Sequence, residues 1–155
     1  MGEIMKEYEI NDATLAIMPN TDTTSIVVES DVKYNVEAIP LKIVDYSCKY
    51  FGSSYIGRRE GSKQILKTSY KLPIMIEDSR NIIFFPTISP DETNCSWIAL
   101  NKIFDINPVK DDKSYTEVIF DNGRKINVPI SYKSMENQIL RASRLESVIR
   151  NRKNK

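Results

Sequence analysis

Short runs of β-branched and aromatic residues, separated by turn-forming residues, dominate the first 130 positions of the chain. Residues 24–29 (TSIVVE) are typical of a strand, because branched side chains favour the extended backbone. Residues 73–77 and 81–85 flank the polar triplet Asp78-Ser79-Arg80, which predicts a hairpin. Further short strands are predicted at 34–36, 96–100 and 103–106.

Two other places in the chain carry the pattern of a hairpin. Residues 115–120 and 124–129 flank a turn that contains Asn122-Gly123, the strongest short-range hairpin signal. Residues 8–10 and 14–18 flank the turn-forming pair at positions 11 and 12, which also predicts a hairpin. Together these runs predict a mostly antiparallel sheet.

One segment in the first third of the chain has helical periodicity instead. Pro40 fits the first turn of a helix, where its missing N–H is not needed. Apolar residues then recur at spacings of three and four, on one helix face, at Leu41, Val44, Cys48 and Phe51. Gly52 favours the end of this helix, which we therefore predict near residues 40–51.

The C-terminal residues predict a second, longer helix. Ser131 or Ser134 caps it, and it runs to about Arg152. Its apolar stripe consists of Met135, Ile139, Ala142, Leu145 (or Leu140) and Ile149. Such a stripe is typical of core packing, and a dimer interface is the alternative interpretation. The predicted fold class is α+β, with a mostly antiparallel sheet, these two helices and no helix-turn-helix.

Residues 53–71 lack a clean periodicity and predict a structured loop, with a helical turn near residues 53–59. Gly52 and Gly57 have the spacing of a phosphate-binding P-loop, but that motif needs Lys and then Ser or Thr after the second glycine. Arg58 and Arg59 stand there instead, so nucleotide hydrolysis is nearly excluded. The glycines favour tight turns and the close approach of another molecule.

Composition narrows the possible chemistry. None of the 155 residues is histidine, which removes Ser-His-Asp and Cys-His catalysis and histidine metal ligands, and we expect no catalytic site, metal or cofactor. Cys48 and Cys95 are expected to be buried free thiols, although counting alone leaves a disulfide open. The first eight residues lack a signal-peptide pattern, and no apolar run approaches the roughly 20 residues of a membrane helix. These features predict a soluble cytoplasmic protein.

The net charge of +1 hides a strong segregation of charge. Residues 49–71 hold six cations and one anion, and residues 133–155 hold seven cations and two anions. Each segment therefore carries +5, and the rest of the chain carries −9. Tyr50, Tyr55 and Tyr70 are interleaved with the first group of cations, a mixture typical of nucleic-acid contact. A solvated cationic face beside core tyrosines is the alternative interpretation.

Residues 43–58 (IVDYSCKYFGSSYIGR) resemble the signature of the ComK family of competence transcription factors. Further similarities follow in order at residues 71–76 (KLPIMI), 83–87 (IFFPT), 95–98 (CSWI), 120–123 (FDNG), 129–132 (PISY) and 137–138 (NQ). The similarity covers roughly residues 7–148. It identifies residues 1–152 as a single ComK-like DNA-binding domain, with residues 153–155 as the end of a basic tail.

The resemblance implies a function. ComK-type proteins are DNA-binding activators of Gram-positive bacteria that switch on DNA-uptake genes and their own gene. They bind paired AT-rich boxes of double-stranded DNA through the minor groove, as dimers, tetramers or other multimers, and they lack a helix-turn-helix. An adaptor delivers them to a Clp protease. For this chain the resemblance predicts such an activator in the cytoplasm, associated with the nucleoid.

The candidate DNA-binding residues follow from the matching motif and from physical reasoning. A-tract minor grooves are narrow and strongly negative, so they attract inserted cations. We expect Arg58 and Arg59 to enter the groove from the tip of the predicted loop. Phosphate and sugar contacts are expected from Lys49, Ser53, Ser54, Tyr55 and Lys63. The alternative function is an oligomerising protein-interaction module that does not bind DNA specifically.

Overall fold

The computed structural model describes residues 3–155; residues 1 and 2, which the predicted domain includes, lie outside the described part. The strands are β1 (Ile4–Met5), β2 (Thr14–Pro19), β3 (Ser25–Glu29), β4 (Lys33–Val36), β5 (Ile74–Glu77), β6 (Ile82–Pro86), β7 (Trp97–Ala99), β8 (Ile103–Val109), β9 (Asp112–Phe120) and β10 (Lys125–Val128). The helices are α1 (Pro40–Tyr50), α2 (Tyr55–Leu66) and α3 (Tyr132–Lys153).

The strands form two sheets. The larger has seven strands in the order β1-β4-β3-β2-β7-β6-β5, and the smaller has three in the order β10-β9-β8. Every neighbouring pair is antiparallel except β1 and β4. The predicted α+β class is confirmed, as are the hairpins β5–β6 and β9–β10 and the two predicted helices.

Three layers share two hydrophobic cores, one on each face of the large sheet. Alternate residues of a strand point to opposite faces, so Phe84 enters one core and Phe85 the other. The first core lies under α1 and contains Ile43, Val44 and Cys48. The second lies between the large sheet, the small sheet and α3, and it contains Met135 and Ala142 of the predicted apolar stripe. Most of that stripe is therefore core.

The hairpin predicted for residues 8–18 is wrong. β2 pairs with β3 and β7, and residues 8–10 are not in a strand. Tyr8 and Ile10 are buried in the first core, and the Ile10 N–H donates to Ser47 Oγ of α1 at 2.9 Å. The backbone of residues 8–10 therefore follows α1, because its apolar side chains are buried there.

The loop predicted for residues 53–71 is also wrong, because residues 55–66 form α2. The inner side of this helix mixes half-buried Tyr55, Ile65 and Leu66 with two half-buried arginines, and Ser62 is its only fully buried residue. Ser62 Oγ donates to the Pro73 carbonyl at 2.6 Å, which holds α2 against the start of β5. Polar anchoring of this kind produces no apolar periodicity, so the sequence pattern does not show the helix.

The structure also bears on the cap of α3, the state of the two cysteines and the search for a membrane-spanning helix. Ser131 is the residue that caps α3, and its Oγ accepts a hydrogen bond from the Ser134 N–H at 3.2 Å. Cys48 and Cys95 are buried free thiols, as expected. Among residues 3–155, no helix combines the length and the apolar character that crossing a membrane requires.

Candidate nucleic-acid interface

The corner between α1 and α2 brings together four of the candidate DNA-binding residues: Lys49, Ser53, Ser54 and Tyr55. Gly52 has a φ of +89°, which ends α1 in a conformation that favours glycine. Ser54 caps α2, and its Oγ accepts from the Gly57 N–H at 3.0 Å. Ser53 precedes this cap, Tyr55 begins α2, and Lys49 lies in the last turn of α1.

Asp45 of α1 joins the two helices at this corner. Its Oδ1 accepts from the Tyr55 N–H at 2.9 Å, and its Oδ2 pairs with the Lys49 ammonium at 3.0 Å. Burial raises the pKa of Asp45, but these two partners together lower it by more, so the pKa lies below its usual range. The carboxylate stays charged at neutral pH and secures the start of α2.

Tyr55 faces inward rather than outward. Its ring meets the Trp97 ring edge-on, with the centroids 6.2 Å apart. Burial raises the pKa of Tyr55, and the neighbouring Arg59 guanidinium opposes that rise. Tyr55 therefore anchors α2 to the first core, and its hydroxyl is near Arg59.

Arg58 and Arg59 lie in α2, not at the tip of a loop, so the predicted location is wrong although the predicted role is untested. Both side chains are half-buried. Arg59 donates to the Ser69 carbonyl at 3.2 Å and contacts Glu60 at 3.3 Å. Arg58 Nε is buried without a hydrogen-bond partner within residues 3–155. The two arginines are thus not equivalent, because only Arg59 is held by defined contacts.

The charge of Arg58 also acts on the Cys48 thiol of α1. Burial raises the pKa of Cys48 and the Arg58 charge opposes that rise, with a net value of about 12. A thiol with so high a pKa stays protonated at neutral pH and is a poor nucleophile. Cys48 is therefore a packing residue of the first core.

The outer face of α2 is open. Lys63, Gly57 and Gly61 lie there, and Ile56 is 71% exposed. A Cβ built at Gly61 meets no atom within 4 Å, so nothing inside the chain requires glycine at this position. Lys63 joins no ion pair within the described residues.

The structure also places the second cationic segment beside the first. Arg141 Nη1 donates to the Tyr70 carbonyl at 2.7 Å, and Gln138 Nε2 donates to the Lys71 carbonyl at 3.0 Å. The predicted site residues do not include Lys67, Tyr70 and Lys71 of this region, although the charge count includes both lysines. The charge of each segment was visible in the sequence, but their contact depends on the tertiary fold.

Comparison with known proteins finds similarity to one protein family over nearly the whole chain. A sequence model of the ComK protein family matches residues 5–154. The competence transcription factor of Bacillus subtilis (strain 168) is 39% identical over 151 residues, which cover 96% of this chain and 78% of that protein. No solved structure matches the chain. The chain therefore belongs to the ComK protein family, and it is a ComK-type transcription regulator rather than an enzyme.

Proposed function

We infer that this chain binds AT-rich double-stranded DNA through the minor groove and activates DNA-uptake genes, acting as a dimer or higher multimer. The observation that carries this function is the uncovered α1–α2 corner, where Lys49 is exposed beside the N-terminus of α2, together with the exposed Lys63 in the last turn of the same helix. A helix N-terminus and nearby cations both favour phosphate. The protein would act in the cytoplasm, on the nucleoid, and an adaptor of a Clp protease would control its level.

The width of α2 decides how it meets the duplex. An α-helix with its side chains is about 10–12 Å across, whereas the minor groove is about 6 Å wide. In the proposed complex α2 follows the phosphate backbone, and a long side chain enters the groove. Arg58 is the cation proposed to enter, because its Nε lacks a partner within residues 3–155. Arg59 then acts as a positioning residue that holds α2 to the following loop.

The other candidate residues have roles along the backbone of the duplex. Lys49 and Lys63 are proposed to contact phosphates. Ser53 and Ser54 lie where the chain enters α2 and present hydroxyls to the sugar–phosphate backbone. Tyr55 orients this surface through its contact with Trp97.

The function is tested by measuring the binding of the protein to duplexes with paired AT-rich boxes. Fluorescence anisotropy gives the binding constant at each salt concentration of a series. We expect tighter binding than to a GC-rich duplex, and competition by a minor-groove ligand. Lys63→Gln should weaken binding several-fold and reduce the slope of log K against log salt by about 0.9 for each bound subunit, the value for one phosphate contact on duplex DNA. Lys110→Gln is the matched control, because Lys110 is also exposed and joins no ion pair within residues 3–155, but lies in the β8–β9 turn.

A second candidate function is an oligomerising protein-interaction module. The observation that favours it is a groove of about 400 Å³ between β8 and α3 with a mixed apolar and acidic lining, in which Phe104 is 73% exposed and Leu140 is 63% exposed. Equal affinity for AT-rich and GC-rich duplexes that vanishes at physiological salt would favour this module and contradict sequence-selective DNA binding.

A further inference from the structure

The loop between α2 and β5 is tied to helices on both sides. Arg59 of α2 donates to the Ser69 carbonyl, and Arg141 of α3 donates to the Tyr70 carbonyl one residue later. Lys67 and Lys71, at the two ends of this loop, have positive φ values of 58° and 47°. Fixing two non-glycine residues in this region costs free energy. The contacts with both helices hold the loop, and with it the position of α2 relative to α3.

The two flanks of α3 differ in charge. Arg141, Arg144 and Arg152 are separated by three and eight residues, which places them on one flank. We name this set the arginine flank, and Arg141 shows that it faces the loop after α2. The anions of α3, Glu136 and Glu146, lie on the other flank, beside β8.

Ion pairs inside the chain occupy the cations away from the arginine flank. Arg150 pairs with Glu146 at 3.1 Å, and Lys153 pairs with Asp78 at 3.1 Å. Within residues 3–155, neither Arg144 nor Arg152 joins an ion pair. The unpaired cations of α3 are thus concentrated on the side where the first cationic segment also lies.

We propose that the arginine flank is a second contact surface for the phosphate backbone of the same DNA duplex, joined to the α2 surface through Lys67, Tyr70 and Lys71. This inference rests on the proposed function. Tyr70 is exposed, and the Lys71 ammonium lies 5.2 Å from the centroid of its ring. The loop therefore presents an aromatic ring and two cations between the two helices.

The dimensions of the flank match an extended polyanion. Eleven residues separate Arg141 from Arg152, which at 1.5 Å per residue is about 16 Å along α3. A DNA strand advances about 3.4 Å of helix axis per phosphate, so this length spans about five phosphates. Arg141 is the positioning residue of the flank, because its guanidinium already binds the loop, whereas Arg144 and Arg152 are proposed to contact phosphates.

The test compares two double variants of the full chain, each of which removes two charges from the same helix. Arg144→Gln with Arg152→Gln removes the phosphate contacts, and Arg150→Gln with Lys153→Gln removes two paired cations from the other side. Circular dichroism and thermal unfolding establish that both variants fold. Binding to the duplex with paired AT-rich boxes is then measured by anisotropy over a salt series.

We expect the first variant to bind about tenfold more weakly and to reduce the slope of log K against log salt by about 1.8 for each bound subunit, because each subunit loses two contacts. The Arg150/Lys153 variant should keep the wild-type affinity and slope. If Lys63→Gln weakens binding but the Arg144/Arg152 variant binds like the wild type, the arginine flank is excluded while the proposed function stands. Equal losses in both double variants would also overturn the inference, because they would indicate a general charge effect. If the wild type binds no DNA, both proposals fail.

Discussion

Gly61 shows at the scale of one residue how α2 differs from a helix selected for stability alone. Glycine inside a helix costs roughly 0.5–1 kcal/mol relative to alanine. Gly61 has no positive φ, and a Cβ built there lies in open space. Gly57 is a less clear case, because a Cβ there comes within 3.1 Å of Ser54 Oγ. Under the proposed function, the missing side chain at position 61 leaves room for the duplex to approach the α2 backbone.

Gly61→Ala should separate stability from DNA binding. We expect the free energy of unfolding to rise by about 0.5–1 kcal/mol, because the helix gains a better helix-forming residue without a clash. We expect DNA affinity to fall several-fold, because the methyl group keeps the duplex away from the α2 backbone. Urea unfolding and fluorescence anisotropy measure the two quantities.

Ser143→Ala is the control for this comparison, since Ser143 is exposed on the β8 side of α3. It should leave DNA affinity unchanged. A Gly61→Ala variant that is more stable and binds DNA as tightly as the wild type would show that the duplex does not contact this face of α2.

At the scale of an element, Ser54 at the start of α2 is expected to affect both the stability of the protein and its affinity for DNA. Ser54 Oγ accepts from the Gly57 N–H, so Ser54→Ala should lower the free energy of unfolding by about 1 kcal/mol. Ser54→Asp should keep the cap, because aspartate is an equally good N-cap. It also places a negative charge against the proposed phosphate, so DNA affinity should fall steeply in Ser54→Asp and only slightly in folded Ser54→Ala, which loses one hydroxyl contact. Urea unfolding measures the free energy of unfolding of each variant, and fluorescence anisotropy measures its affinity for DNA.

The cap of α3 supplies a matched control. Ser131 Oγ accepts from the Ser134 N–H in the same geometry, so Ser131→Ala and Ser131→Asp should change stability in the same directions. Neither should change DNA affinity, because Ser131 lies outside the proposed interface. Wild-type affinity in Ser54→Asp would remove the N-terminus of α2 from that interface.

The elements differ in how well the sequence predicts them. α1 was predicted because its inner face is apolar, with Val44 and Cys48 buried at helical spacing. α2 was missed because its one fully buried residue is Ser62 and two half-buried arginines interrupt the apolar residues of its inner side, which leaves no clear apolar period. The sequence does contain one signal for the start of α2, because Ser54 is a good N-cap residue. Gly57 and Gly61 then lower the helix propensity of the residues that follow.

The hairpin expected at residues 8–18 failed for a different reason. Its pattern of a turn between two short β-prone runs was genuine, but Ser47 of α1 bonds the Ile10 N–H that a strand partner would need. This competing contact joins residues 37 positions apart and cannot be seen in local patterns. Local sequence therefore predicted strands well where no distant partner competed for the backbone.

At the scale of the whole molecule, the candidate site depends on which segments the fold brings together. The sequence showed two segments with a charge of +5, but not that Arg141 would meet Tyr70 across 71 positions. That contact follows from the packing of α3 on the second core, where Met135 and Ala142 are fully buried. The position of the arginine flank is thus set by the apolar stripe on the same helix.

The stripe therefore yields a prediction about stability. Met135 is 0% exposed, so Met135→Ala should leave a cavity and lower the free energy of unfolding by about 2–5 kcal/mol in urea. Leu140→Ala is the control on the same helix; with a side chain that is 63% exposed, it should change stability by about 0.5 kcal/mol or less. The interpretation of the stripe as a dimer interface makes the opposite prediction. If Met135→Ala keeps the wild-type stability but dissociates a dimer in analytical ultracentrifugation, Met135 packs against a second copy rather than in the core.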